Sequence, residues 1–133
     1  MLYILDTNIC IYIIKKKPKN VIDILEKKKI SSIGISTITL SELEYGVEKS
    51  QASEKNRLAL VEFCVPIEIY PYDDEAAKTY GEIRTYLERM GNPIGSLDML
   101  IAAHAKSLGH ILVTNNEREF KKVPGLKTEN WAR

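Results

Sequence analysis

What this chain has little of narrows it first. Only two cysteines, Cys10 and Cys64, and two histidines occur among 133 residues. The cysteines form no C-x-x-C pair and stand in apolar surroundings. A zinc cage, a disulfide framework and a thiol nucleophile are therefore poor readings, and both read as small buried hydrophobes of a reduced, cytoplasmic protein. No stretch approaches the roughly 18 apolar residues of a membrane span. Met1 to Asp6 has no basic region before its short apolar run, so no signal peptide is expected. A charge excess is missing too: 19 basic and 18 acidic side chains leave a formal +1. That balance excludes a strongly basic coat, so contact with a polyanion would rest on local patches. Lys15–Lys17 and Lys27–Lys29 are two such patches, and each reads equally well as a solvated helix end. Repeats, low-complexity tracts and linkers are also missing. With 44% hydrophobic residues, the chain can bury a core, and residues 1–133 are expected to form a single domain.

Short apolar runs alternate with amphipathic segments, the pattern of βα units around a parallel sheet. Leu2–Leu5 reads as a buried strand, followed by a turn at Asp6-Thr7-Asn8 and a helix from Ile9 to Lys16 that Pro18 ends. Asn20 is placed to cap a helix from Val21 to Lys29. Ile33–Ser36 is a second strand. Thr37 or Thr39 is placed to cap a helix with Leu40, Leu43 and Val47 on one face, and Ser53 to cap another carrying Leu58, Val61 and Phe63. Ile67–Tyr70 is a third strand. Ala76, Tyr80, Ile83, Leu87 and Met90 repeat at helical spacing up to Gly91. Leu97–Leu108 is an alanine-rich helix closed by Gly109. Ile111–Thr114 is a fourth strand, and Lys127–Trp131 can add a short edge strand.

The addresses of the acids matter more than their number. Asp6 follows the first strand; Asn115, Asn116 and Glu119 follow the fourth. Ligands of open parallel sheets bind beyond the carboxyl ends of strands, where strand order reverses, so these residues meet if the two strands are neighbours there. Glu42 is expected in the first turn of the helix after the second strand. Asp98 opens the helix before the fourth, and six uncharged residues follow it. A carboxylate in such apolar company is expensive unless paired or bound to a cation.

Each acid also has a plainer reading. Asp6 and Asp98 can be helix caps. Glu42 can close a capping box with Thr39. Glu119 can neutralise Arg118 or Lys122, and Asn116 can be a turn residue. Four carboxylates at one expected rim are harder to explain in this way, because crowded carboxylates repel. A hard cation among them resolves the repulsion, and all-oxygen ligation favours Mg²⁺ or Mn²⁺.

Leu5-Asp6-Thr7-Asn8, Ser41-Glu42-Leu43-x-x-Gly46, Ile94-Gly95-x-x-Asp98-x-x-Ile101-Ala102-x-His104-Ala105 and Val113-Thr114-Asn115-Asn116-x-x-Glu119-Phe120 resemble, in order, the motifs of PIN-domain ribonucleases. The continuation through Val123-Pro124-Gly125-Leu126 to Trp131 resembles the VapC-type toxins of bacterial toxin–antitoxin modules. The resemblance spans essentially the whole chain. It implies a three-layer α/β/α sandwich with a central, mainly parallel sheet of four to five strands, and an Mg²⁺- or Mn²⁺-dependent endoribonuclease. By position it makes Asp6, Glu42 and Asp98 metal ligands and Glu119 a fourth catalytic acid, with Thr7, Asn8, Thr114 and Asn116 in support. Asn116 stands where many members carry an aspartate, a departure that weakens a second metal position.

The resemblance further implies a metal-activated water attacking RNA, with tRNA a plausible substrate, and products with 5′-phosphate ends. Lys15, Lys16, Arg118, Lys121 and Lys122 are candidate contacts to the RNA backbone. It also implies a homodimer inhibited by a VapB-type antitoxin, which would link it to operator DNA only indirectly. Two alternatives stay open. An aspartyl-phosphate phosphatase would use Asp6 as nucleophile, but Asn8 stands where that chemistry wants a second aspartate. An inert PIN-like RNA- or protein-binding module would keep the fold without turnover.

Overall fold

A computed structural model describes residues Met1–Arg133. Five short strands, β1 (Tyr3–Leu5), β2 (Ile33–Ser36), β3 (Glu68–Tyr70), β4 (Ile111–Val113) and β5 (Thr128–Glu129), form one sheet in the order β3-β2-β1-β4-β5. Every neighbouring pair is parallel. The helices are α1 (Thr7–Lys15), α2 (Lys19–Glu26), α3 (Thr37–Lys49), α4 (Ser53–Cys64), α5 (Asp74–Arg89), α6 (Ser96–Leu108) and α7 (Glu117–Phe120). A parallel sheet has to be covered on both faces, and the strand sequences show how. Tyr3, Leu5, Ile33, Ile35, Ile111 and Val113 point to one side, where Ile9, Val21, Leu43 and Leu60 bring α1 to α4 against them. Ile4 and Leu112 point to the other, against Ile83 and Leu87 of α5, Ile101 and Ala105 of α6, and Phe120 of α7. This period of two gives three layers with a core on either side of the sheet. No helix is long and apolar enough to cross a membrane.

Several expected boundaries move by a residue or more, for local reasons. Asn20 lies inside α2, which starts after Pro18 without a side-chain cap; the Asn20 amide instead donates to the carbonyl of Arg133 at 3.0 Å. Ser36, not Thr37 or Thr39, caps α3 by accepting from the Ile38 amide. Ser53 is the first residue of α4, whose cap position holds Ala52. Leu58 and Val61 are 60% and 52% exposed rather than core-facing, and Met90 is exposed at the end of α5. The lysines at 27–29 follow α2 instead of ending it, and the Lys28 ammonium sits 4.8 Å from the centre of the Tyr3 ring. Cys10 is fully buried and Cys64 partly so, neither in a disulfide.

Two glycines carry weight. Gly109 ends α6 at φ 70°, a left-handed conformation that glycine adopts without strain. Gly34, in the middle of β2, leaves room for Tyr70: a Cβ there would stand 2.4 Å from its ring and 2.9 Å from the Glu68 carbonyl oxygen.

Candidate active site

The chain runs β1, β2, β3 to one edge and returns to place β4 on the free side of β1. Strand order thus reverses between β1 and β4, whose last residues Leu5 and Val113 are paired. Just beyond that pair, where the Asp6 amide still donates to the Val113 carbonyl at 2.9 Å, two turns carry Asp6 and Thr114 to Asn116. The second turn of α3, rather than its first, and the first turn of α6 bring Glu42 and Asp98 alongside.

Asp6 is buried, 5% exposed, and both its carboxylate oxygens are engaged. Oδ1 accepts from the Thr7 amide at 2.8 Å, capping α1. Oδ2 accepts from the Thr114 hydroxyl at 2.8 Å, which itself accepts from the Asn116 amide at 2.9 Å. Capping and site-building are therefore one arrangement here: the bonds that start α1 also fix the carboxylate across the β1–β4 gap. Burial raises the Asp6 carboxyl above its ordinary range, opposed by the Thr114 and Thr7 donors and reinforced by Glu42.

Glu42 does not close a capping box with Thr39, whose buried hydroxyl has no partner. Its Oε1 reaches α1 and accepts from the Thr7 hydroxyl at 2.8 Å. Asp98, in the first turn of α6, is half-buried and does not cap the helix, since the cap residue is Gly95. Its carboxyl is pushed up to about 6, by burial first and then by the charges of Asp6, Glu42 and Glu119, with the Asn116 side chain pulling the other way. The Asn116 amide nitrogen lies 3.4 Å from Asp98 Oδ2. Glu119 joins the rim from α7 and is ion-paired with Lys122 at 3.2 Å.

The four acids thus converge electrostatically, as each of the others acts on Asp98. They line a rim rather than a closed cage: no three already meet at one point as metal ligands. Like charges without a counter-ion keep apart, and only one of the chain's ion pairs involves these acids, that of Glu119. An all-oxygen donor set short of positive charge fits a hard divalent cation. Asp6, Glu42 and Asp98 are the residues that could hold it.

The other expected residues divide. Thr7 and Thr114 are bonded to the acids. Asn8 is exposed on the first turn of α1. Arg118 and Lys121 are exposed on and just after α7, close in sequence to Glu119. Lys15 and Lys16 stand at the opposite end of α1 from Asp6, about 13 Å away at 1.5 Å per residue.

Two features escaped the sequence reading. Ser36, besides capping α3, lies 2.7 Å from Nδ1 of His104, which is buried in α6; a β2–α6 tie of this kind pairs residues 68 apart and leaves no local signal. Asn115 donates to the Tyr12 hydroxyl at 3.2 Å and accepts from Asn130 at 3.2 Å, joining the β4–α7 turn to α1 and to the C-terminal segment. Turn chemistry marked Asn115, but not its partners.

Known proteins are similar to this chain in sequence and fold. The family model of the PIN domain matches residues 3–126. The tRNA(fMet)-specific endonuclease VapC of Shigella flexneri is 47% identical over 130 residues, 98% of each chain. The protein of that name from Salmonella typhimurium is 48% identical over 131 residues, again 98% of each. The crystal structure of VapBC2 from Rickettsia felis bound to a DNA fragment from their promoter matches with a TM-score of 0.91 at 45% identity, covering 98% of this chain and 99% of that one. On this near-complete match, together with the shared fold, the chain belongs to the PIN domain family, among its VapC members.

Proposed function

We propose that this chain is a cytoplasmic, metal-dependent endoribonuclease, the toxin of a toxin–antitoxin pair, and that residues 1–133 act as one domain in cutting structured RNA such as a tRNA. The observation that carries this reading is the placing of the acids: Asp6 is held by Thr7 and Thr114, Glu42 by the Thr7 hydroxyl, and the half-buried Asp98 lies beside Asn116. They sit at the strand-order reversal of a parallel sheet, where such folds bind ligands. The names of its relatives support the activity and the tRNA substrate.

In this reading Asp6, Asp98 and Glu42 hold Mg²⁺ or Mn²⁺. Bound there, the ion would supply a hydroxide nucleophile near neutral pH and stabilise the leaving oxygen. Thr114 keeps Asp6 aimed across the β1–β4 gap, and Thr7 does the same for Glu42 from the start of α1. Glu119 orients the attacking water. Arg118 and Lys121 hold the RNA backbone beside the rim, and Lys15 and Lys16 a more distant stretch. Attack by water leaves 5′-phosphate and 3′-hydroxyl ends.

The antitoxin surface is read from a groove of about 260 Å³ between α1, α3 and α4, lined by Ile11, Ile14, Val47 and Leu60 and reaching Glu42. An amphipathic helix fits such a groove, and a basic side chain at its end would meet the acids. A VapB-type partner is supported by the VapBC complex above, whose DNA contact comes to this chain only through the antitoxin. Ile38, Tyr45 and Leu97 form an apolar patch next to Glu42, the surface offered to a second copy in a homodimer.

The test is direct. Antitoxin-free protein is incubated with total tRNA and ribosomal RNA in Mg²⁺, Mn²⁺ or EDTA, beside Asp6→Ala and Asp98→Ala. Discrete fragments with 5′-phosphates, lost on chelation and in both variants, are expected. Intact RNA throughout would leave an inert binding module, and 2′,3′-cyclic ends would rule out water as the nucleophile.

A further inference from the structure

Charge is not shared evenly along the acidic rim. On one side, Asp6, Glu42 and Asp98 make no ion pair with any lysine or arginine of the chain. On the other side, Glu119 has Lys122 one helical turn away, its ammonium 3.2 Å from Oε2. Both side chains are sheltered, 27% and 34% exposed, so the pair is less screened than the chain's exposed ion pairs. Asn116 is neutral and presents its amide nitrogen, a donor, toward Asp98. Three negative charges therefore gather on the β1, α3 and α6 side, while Glu119, Lys122 and Asn116 sum to zero.

A second divalent cation in a shared carboxylate site sits about 3.5–4 Å from the first, and mutual repulsion at that distance demands anionic ligands on both sides. On the side of Glu119 the one anionic group is already paired with Lys122. We propose that Lys122 is a positioning residue that acts as the site's resident cation. Its ammonium holds Glu119 at the rim and occupies, electrostatically, the place of a second metal, so that the chain binds one divalent ion and not two. This rests on the nuclease reading above. Glu119 is then a base or water-orienting group whose geometry depends on Lys122, not a metal ligand.

The test counts ions. Mn²⁺ is titrated into the antitoxin-free chain and followed by electron paramagnetic resonance of free Mn²⁺, with calorimetry for stoichiometry. Wild type, Lys122→Met, Lys122→Arg and Asp98→Asn are compared. Methionine keeps an apolar stem of similar length and removes the charge, and a thermal melt of each variant reports folding. One Mn²⁺ per chain is expected for wild type and Lys122→Arg. Lys122→Met is expected to take up a second, weaker ion, and Asp98→Asn to lose at least tenfold in affinity for the first. With single-turnover cleavage measured alongside, Lys122→Met should lower the maximal rate, Arg should restore it, and the apparent RNA affinity should move little. Two ions on wild type, or an unchanged stoichiometry in a folded Lys122→Met, overturns this inference and leaves the nuclease reading intact. A wild type that binds no Mn²⁺ overturns both.

Discussion

Removing one charge from the acidic rim should make the metal-free protein more stable, although it removes a residue central to the proposed chemistry. The perturbation is Asp98→Asn. In the folded chain the Asp98 carboxyl is pushed from 3.8 to about 6. The folded state therefore binds a proton more tightly than the unfolded state, and stability falls as pH rises through the window between these values, the reverse of a salt-bridged aspartate. Taken whole, the shift corresponds to about 3 kcal/mol at 1.36 kcal/mol per unit. Asp98 is only half-buried, so solvent screening reduces this to roughly 1 kcal/mol. For a chain of this size that is about 3–6 °C in melting temperature. The assay is thermal unfolding in EDTA of wild type and Asp98→Asn, near pH 7.5 and near pH 4.5, at low and high salt. The variant should melt higher near pH 7.5. Near pH 4.5, where the folded wild-type carboxyl is protonated but the unfolded one is still largely ionised, the gap should shrink to roughly a third, closing only below the unfolded value. High salt should narrow it at neutral pH. A variant that is less stable than wild type near pH 7.5, or more stable by the same margin at both pH values, would refute the claim that burial and the neighbouring acids disfavour an ionised Asp98.

Other consequences can be measured in the same preparations. Saturating Mn²⁺ should raise the wild-type melting temperature, by about 2.7 kcal/mol of added stability at a hundredfold excess over the dissociation constant, and should do little for Asp98→Asn; differential scanning fluorimetry with and without EDTA reads both. Thr114→Val keeps the shape at Asp6 but deletes the 2.8 Å hydroxyl bond, and should weaken metal affinity or cleavage about 10–100-fold, read by Mn²⁺ titration and single-turnover kinetics. Gly34→Ala drives a methyl group against the Tyr70 ring and the Glu68 carbonyl, and should cost about 1–3 kcal/mol in a urea melt; Gly46→Ala, which meets nothing within 4 Å, is the control that should not. Asn115→Ala frees the β4–α7 turn from Tyr12 and Asn130, and its amides from Asn116 to Glu119 should exchange hydrogen faster.

How much of this was legible in the sequence follows from the range of the forces involved. Periodicity located the strands and most helices, because apolar residues at every second or every third to fourth position must face a core whatever surrounds them. The residues that resemble the PIN motifs carried the site, as each acid lies at the end of a strand or in the first turns of a helix, where local sequence decides the backbone. Helix starts were less secure. Ser36, Thr37 and Thr39 all suit a cap, and the choice fell to Ser36, which also meets His104 from another helix. Leu58 and Val61 looked like core because helical spacing reports a face and not what covers it; only the packing of α4 against α1 and α3 left them exposed. The placement of β4 beside β1, which brings Asp6 to Thr114, was a condition in the sequence and a fact only in the fold. So was the division of charge along the rim. The Glu119–Lys122 pair, three residues apart on one helical turn, was already open to the sequence. That Asp98 faces Asp6, Glu42 and Glu119 with no cation of its own depends instead on contacts across the chain, over distances that no local pattern encodes.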